Sequence, residues 1–207
     1  MNPKYLFQRK SESTRAHFEN INDCYLLFQK IISWFPKTPR EYIVACIGTD
    51  RSTGDALGPL VGTYLSEKKP KHLTIYGTLQ EPVHATNLTE YIDHIQNNHQ
   101  NPFIIAIDAC LGKPNSIGNL IASKEALKPG AALNKSLPLI GDIHIAGVVN
   151  VSGFMEYAVL QNTRLSFVNE MAKELSNLLM IIDAQLVSTQ HIQATIHPSI
   201  DKTKFSS

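Results

Sequence analysis

Three stretches of the chain are apolar without alternation: Tyr42–Ile47, Phe103–Ile107 and Ile143–Val149. Short runs of that kind predict strands buried on both faces, as in a parallel sheet. Leu73–Tyr76 predicts a further strand, and residues 118–123 an edge strand. Between them the period changes to that of helices. Residues 16–35 carry Phe18, Ile21, Tyr25, Phe28 and Ile32 at spacings of three and four, one face of an amphipathic helix that Pro36 and Pro39 end. A helix is predicted from Gly58 to Lys69, with Pro59 in its first turn. Another runs over Leu88–Asn98, capped by Thr86 or Asn87. A long one spans 153–182, with Leu165, Val168, Ala172, Leu175, Leu179 and Ile182 on its apolar face.

Strands that alternate with helices predict an α/β fold, a three-layer α/β/α sandwich around a mostly parallel sheet. The expected division is an N-terminal helical arm or added layer over 1–39, an α/β domain over 40–185, and a tail over 186–207.

Composition narrows the function classes. The 207 residues are 43% hydrophobic and 18% charged, enough to bury a full core. Lys+Arg number 19 and Asp+Glu 18, a net charge of +1. So even a balance offers no broad field for nucleic acid or an anionic membrane, and neither is expected as a partner. No apolar stretch reaches 18 residues, and Met1–Lys10 lacks the apolar run of a signal peptide. Cys24, Cys46 and Cys110 form no CxxC pair, which predicts reduced, intracellular thiols.

In open α/β sheets ligands bind at the carboxyl ends of the strands. Two carboxylates fall there: Asp55, in the loop after Tyr42–Ile47, and Asp108, expected to end the strand Phe103–Ile107. Neighbouring strands would bring them close enough to share a proton, one neutral and one ionised. That arrangement activates water and protonates a leaving group. Asp50 shares the loop and reads as an Asx-turn residue, Ser52 and Thr53 read as turn formers, and Arg51 would pair with an acid and lower its pKa. Gly48 and Gly54 make no phosphate loop, since no Gly-Lys-Ser/Thr follows. His144, inside an apolar run, reads as a core or edge histidine rather than a metal ligand. His84, in the loop after the second strand, is a comparable outsider. No tight divalent metal site and no cofactor are expected. Cys110 reads as a small thiol with no base fixed beside it.

The wording around these acids is specific. Ile47-Gly48-Thr49-Asp50, Gly54-Asp55-Ala56-Leu57-Gly58-Pro59 and Ala106-Ile107-Asp108-Ala109 resemble the bacterial spore germination protease. The hydrogenase maturation proteases share the layout, and the chain over about 40–185 is most similar to the YyaC-type sporulation proteins. The resemblance implies a phosphorylase/hydrolase-like fold, hydrolysis of a protein or peptide substrate, and the cytoplasm of a sporulating cell. It implies Asp55 and Asp108 as the catalytic pair. Gly48, Thr49, Asp50, Gly54 and Thr78 would be substrate-binding, and Lys128-Pro129-Gly130 a turn beside the cleft. In the maturation proteases a His joins the two acids and a divalent metal binds there. A non-catalytic binding or assembly protein of the same fold is the alternative from another class.

Overall fold

The computed structural model describes residues 12–129 and 137–196, with side chains of the last helix to Leu186. Six strands make one sheet: β1 (Ser13–His17), β2 (Tyr42–Cys46), β3 (Leu73–Tyr76), β4 (Phe103–Gly112), β5 (Asn119–Ser123) and β6 (Ile143–Val151). Their order across the sheet is β1-β5-β6-β4-β2-β3. β3, β2, β4 and β6 run parallel; β5 is antiparallel to β6, and β1 to β5. Every residue of β2 is buried, as its unbroken apolar run predicts.

Alternation along the strands builds two cores. Val44, Cys46, Ile105, Ile107 and Ile145 face one side, beneath α1 (Ile21–Ser33), α2 (Leu57–Glu67) and α5 (Leu165–Ile196). Ala45, Ile47 and Ala106 face the other, against Leu88 of α3 (Leu88–Asn98) and against Leu127 and Ile140. The result is a three-layer α/β/α sandwich with unequal outer layers. The second layer is one helix plus an irregular stretch tied by an antiparallel bridge between Leu127 and Ile140. A sheet face covered that thinly leaves room for a cavity.

The structure corrects several expected elements. Residues 13–17 are a strand, not the start of a helix, and α1 begins at Ile21 after the Asn20 cap. Its buried side is Leu27, Phe28 and Ile31, whereas Ile21 and Tyr25, placed on the apolar face, are exposed. The spacing counted Phe18, which is buried in the connection ahead of the helix and pulled the apparent stripe out of phase. β5 is not the edge, because β1 covers it. The long helix is two: α4 (Glu156–Gln161) and then α5, which starts at Leu165. α5 also runs on to Ile196, through the start of the expected tail; 197–207 lie outside the described residues. Asp183, buried in α5, accepts the backbone N–H groups of Lys71, His72 and Leu73 at 3.0, 2.7 and 3.1 Å and so fixes the start of β3.

Candidate active site

The site arises where two adjacent strands have different lengths. β2 leaves the sheet just after the Ile47 amide donates to the Ile107 carbonyl at 2.7 Å. β4 continues to Gly112, held by β6 alone. Asp108 is therefore not the end of its strand, as expected from sequence, but the first residue past the end of its neighbour. It pairs with Ala146 of β6. The amide of Ala109, on the side β2 has vacated, donates to Asp108 Oδ1 at 2.8 Å. The carboxyl thus replaces a missing strand partner.

The departing chain is folded back by two close approaches. Gly48 has φ of +149°, and a Cβ there would lie 2.0 Å from the Asp55 carbonyl oxygen, so only glycine fits. The Gly48 amide donates to the Val83 carbonyl at 2.8 Å, and the Thr49 amide to the Asp55 carbonyl at 3.1 Å. Asp55 sits in the short 3-10 turn Gly54–Ala56 that precedes α2. Gly54 is buried under Leu160 of α4; a Cβ would lie 2.7 Å from the Leu160 side chain. The turn is thereby clamped between the β2 end and α4.

Asp55 and Asp108 line one cavity of about 880 Å³. Burial raises the pKa of both. For Asp55, burial is opposed by the nearby Ser52 hydroxyl, which favours the charged form. Asp108 is pushed up to about 8, chiefly by burial and further by the charge of Asp55, against the Ala109 amide that favours ionisation. It is partly buried and lines the cavity. Cys110 lines the same wall, and burial with the Asp108 charge raises its thiol to about 11, so it is no thiolate nucleophile at neutral pH.

Other expected residues divide cleanly. Gly48 and Thr49 line the cavity; Asp50, Gly54 and Thr78 do not. Asp50 is exposed in the loop, its carboxylate within 3.5 Å of the Thr49 hydroxyl. Gly54 is walled off by Leu160. Thr78 closes its own turn: its amide donates to the Glu81 carbonyl and its Oγ1 accepts the Glu81 amide. Arg51 lines the cavity without an ion pair among the described residues, and Asp55 is not lowered. Lys128 and Pro129 line the wall; Gly130 lies outside the described residues.

Both outsider histidines reach the cavity. His144 shares the face of Asp108, because Ala106 and Asp108 pair with His144 and Ala146. Its Nδ1 is 2.9 Å from the Glu125 carbonyl oxygen, so Nδ1 carries hydrogen and Nε2 is the remaining ring nitrogen. His84 Nδ1 is bonded to Thr86 Oγ1 at 2.9 Å. The Asn87 side chain does not cap α3. It accepts the His84 amide at 2.8 Å and donates to the Pro82 carbonyl at 3.0 Å, stapling the loop that carries His84. Among the described residues no group of three His, Cys, Asp or Glu side chains is disposed to hold a metal ion. Sequence reasoning missed Leu160, Tyr157 and the apolar wall of Leu111, Leu127 and Leu139, which come from four separate segments with no shared motif.

Residues 15–178 match the family described as "Protein of unknown function (DUF1256)". The Bacillus subtilis (strain 168) protein named "Uncharacterized protein YyaC" is 55% identical over 144 residues, 70% of this chain and 70% of its own length. Among solved structures, the [NiFe] hydrogenase maturation protease HycI from Thermococcus kodakarensis KOD1 is similar with a TM-score of 0.47 and 18% identity, over 70% of this chain and 93% of that one.

Proposed function

The chain belongs to the DUF1256 family, and we propose that it is a peptidase in which Asp55 and Asp108 hydrolyse a peptide bond. The observation that carries this reading is the placement of two carboxyls in one cavity with unequal solvation, Asp108 the more strongly raised. Asp108, the more strongly raised, is then the acid at neutral pH and Asp55 is the candidate base, the division of labour that acid–base hydrolysis requires.

Asp55 takes a proton from a water molecule, whose oxygen forms the bond to the scissile carbonyl carbon. Asp108 gives its proton to the departing amine nitrogen as the C–N bond breaks. The proton left on Asp55 passes back to Asp108 through the pair, which resets the site. No cofactor enters these steps. No helix among the described residues is long and apolar enough to cross a membrane, and the substrate we assign is a protein or peptide.

The test is hydrolysis of unfolded polypeptides by the purified protein, read by mass spectrometry. Asp55→Asn and Asp108→Asn are each expected to lose activity by about a hundredfold or more. Full activity in both variants would exclude the pair. A wild-type protein that binds polypeptide without cutting it would instead be the binding module of the same fold.

A further inference from the structure

The cavity wall opposite the sheet carries a pattern that selects for an extended peptide. Leu127 and Ile140 exchange both backbone hydrogen bonds, Leu127 N–H to the Ile140 carbonyl at 2.8 Å and the reverse at 3.1 Å. In an extended segment adjacent residues point their backbone groups to opposite sides. The bend at Glu125 ends this stretch on one side, where the Glu125 carbonyl accepts from His144, and the turn at Pro129 ends it on the other. Ala126 and Lys128 therefore direct their N–H and C=O groups the other way, and among the described residues neither has a backbone partner. Both residues line the cavity. Here is a short open strand edge on the wall of a site with a hydrolytic pair.

The side chains around it add a second requirement. Leu139 and Tyr157 line the cavity yet are 61% and 59% exposed, so both stand where it meets solvent. Phe154, 95% exposed, and Met155, held at φ of +63°, precede Tyr157 on the same lip. Outside the Asp55–Asp108 pair the charged lining residues balance, Arg51 and Lys128 against Glu125 and Glu156, so that part of the wall selects no net charge. A cavity of about 880 Å³ accommodates a segment of several residues.

We propose that the substrate docks in extended form by pairing with the backbone of Ala126–Lys128, uncharged, with large apolar side chains against Leu139 and Tyr157. This rests on the peptidase reading and supplies its substrate class. Backbone pairing provides the affinity and the apolar lip the selectivity.

The test uses the full chain with Asp55→Asn, so that bound peptide is not consumed. The probe is a fluorescein-labelled, uncharged nonapeptide with Leu-Phe at its centre, against one with Ser-Gly there. Fluorescence polarisation should show the Leu-Phe probe binding at least about tenfold more tightly. N-methylation of each amide in turn should weaken binding at alternate positions and be tolerated between them. Leu139→Ser and Tyr157→Ser, at exposed positions that leave thermal unfolding unchanged, should each weaken the Leu-Phe probe. Equal binding of the two probes, or loss without a two-residue period, overturns the docking proposal. Periodic, apolar-selective binding by a wild-type protein that does not cleave the probe keeps the docking and removes the hydrolysis. Cleavage with no apolar preference does the reverse.

Discussion

The proton on Asp108 has a cost that folding bears at neutral pH. Its carboxyl is raised to about 8, so the folded state binds a proton that the unfolded chain releases near its ordinary value of 3.8. The sign follows from linkage: the penalty is absent below about pH 4, grows as pH rises, and is complete above about 8. Asp108→Asn keeps an oxygen for the Ala109 amide and removes the charge. It should be more stable than wild type by about 1–3 kcal/mol at pH 8, and by much less at pH 4, in urea denaturation at both pH values. The proposed hydrolysis would need Asp108 protonated, so activity should fall as pH rises through about 8; a rate that keeps climbing to pH 10 would remove Asp108 as the acid. At this scale the sequence was informative where a residue's neighbours are local. Gly48, Asp55 and Asp108 stand in one loop and one strand, and their wording marks them. His84 was placed only as an outsider, because its orientation depends on Asn87 and Thr86, which sequence reasoning assigned to capping.

Elements were legible in proportion to how uniformly they are buried. β2 and the first half of β4 announce themselves because both faces are covered. The second half of β4, residues 108–112, was hidden, since a strand with one neighbour and a cavity on its flank carries mixed residues. The break between α4 and α5 was likewise invisible in an apolar period that passes through it. One contact between elements carries weight out of proportion to its size. Asp183 on α5 satisfies three amides at the start of β3. Asp183→Ala should cost about 2–4 kcal/mol in chemical denaturation, since it orphans donors that the fold has withdrawn from water. A loss below 0.5 kcal/mol, within the range of ordinary surface changes, would mean that water replaces the carboxylate there.

For the molecule as a whole, the sandwich class was legible from the alternation of periods, but the N-terminal contribution was not. Ala16, Phe18, Leu27, Phe28, Ile31 and Trp34 join the same core as α2 and α5, and β1 covers the flank of β5. A chain beginning at residue 40 should therefore be poorly soluble and lack fixed near-ultraviolet dichroism, having lost that core and bared a strand edge. A soluble, cooperatively unfolding product would establish 40–185 as an independent unit. The unequal lengths of β2 and β4 have a consequence of another kind. Because β2 stops at the level of Ile107, the Ala109 amide has, among the described residues, only the Asp108 side chain to hold its hydrogen. Its exchange with deuterium should be fast against the strongly protected amides of the preceding strand, and should slow when a peptide closes the cavity. One backbone proton would then report occupancy of the site, whether or not the occupant is ever cut.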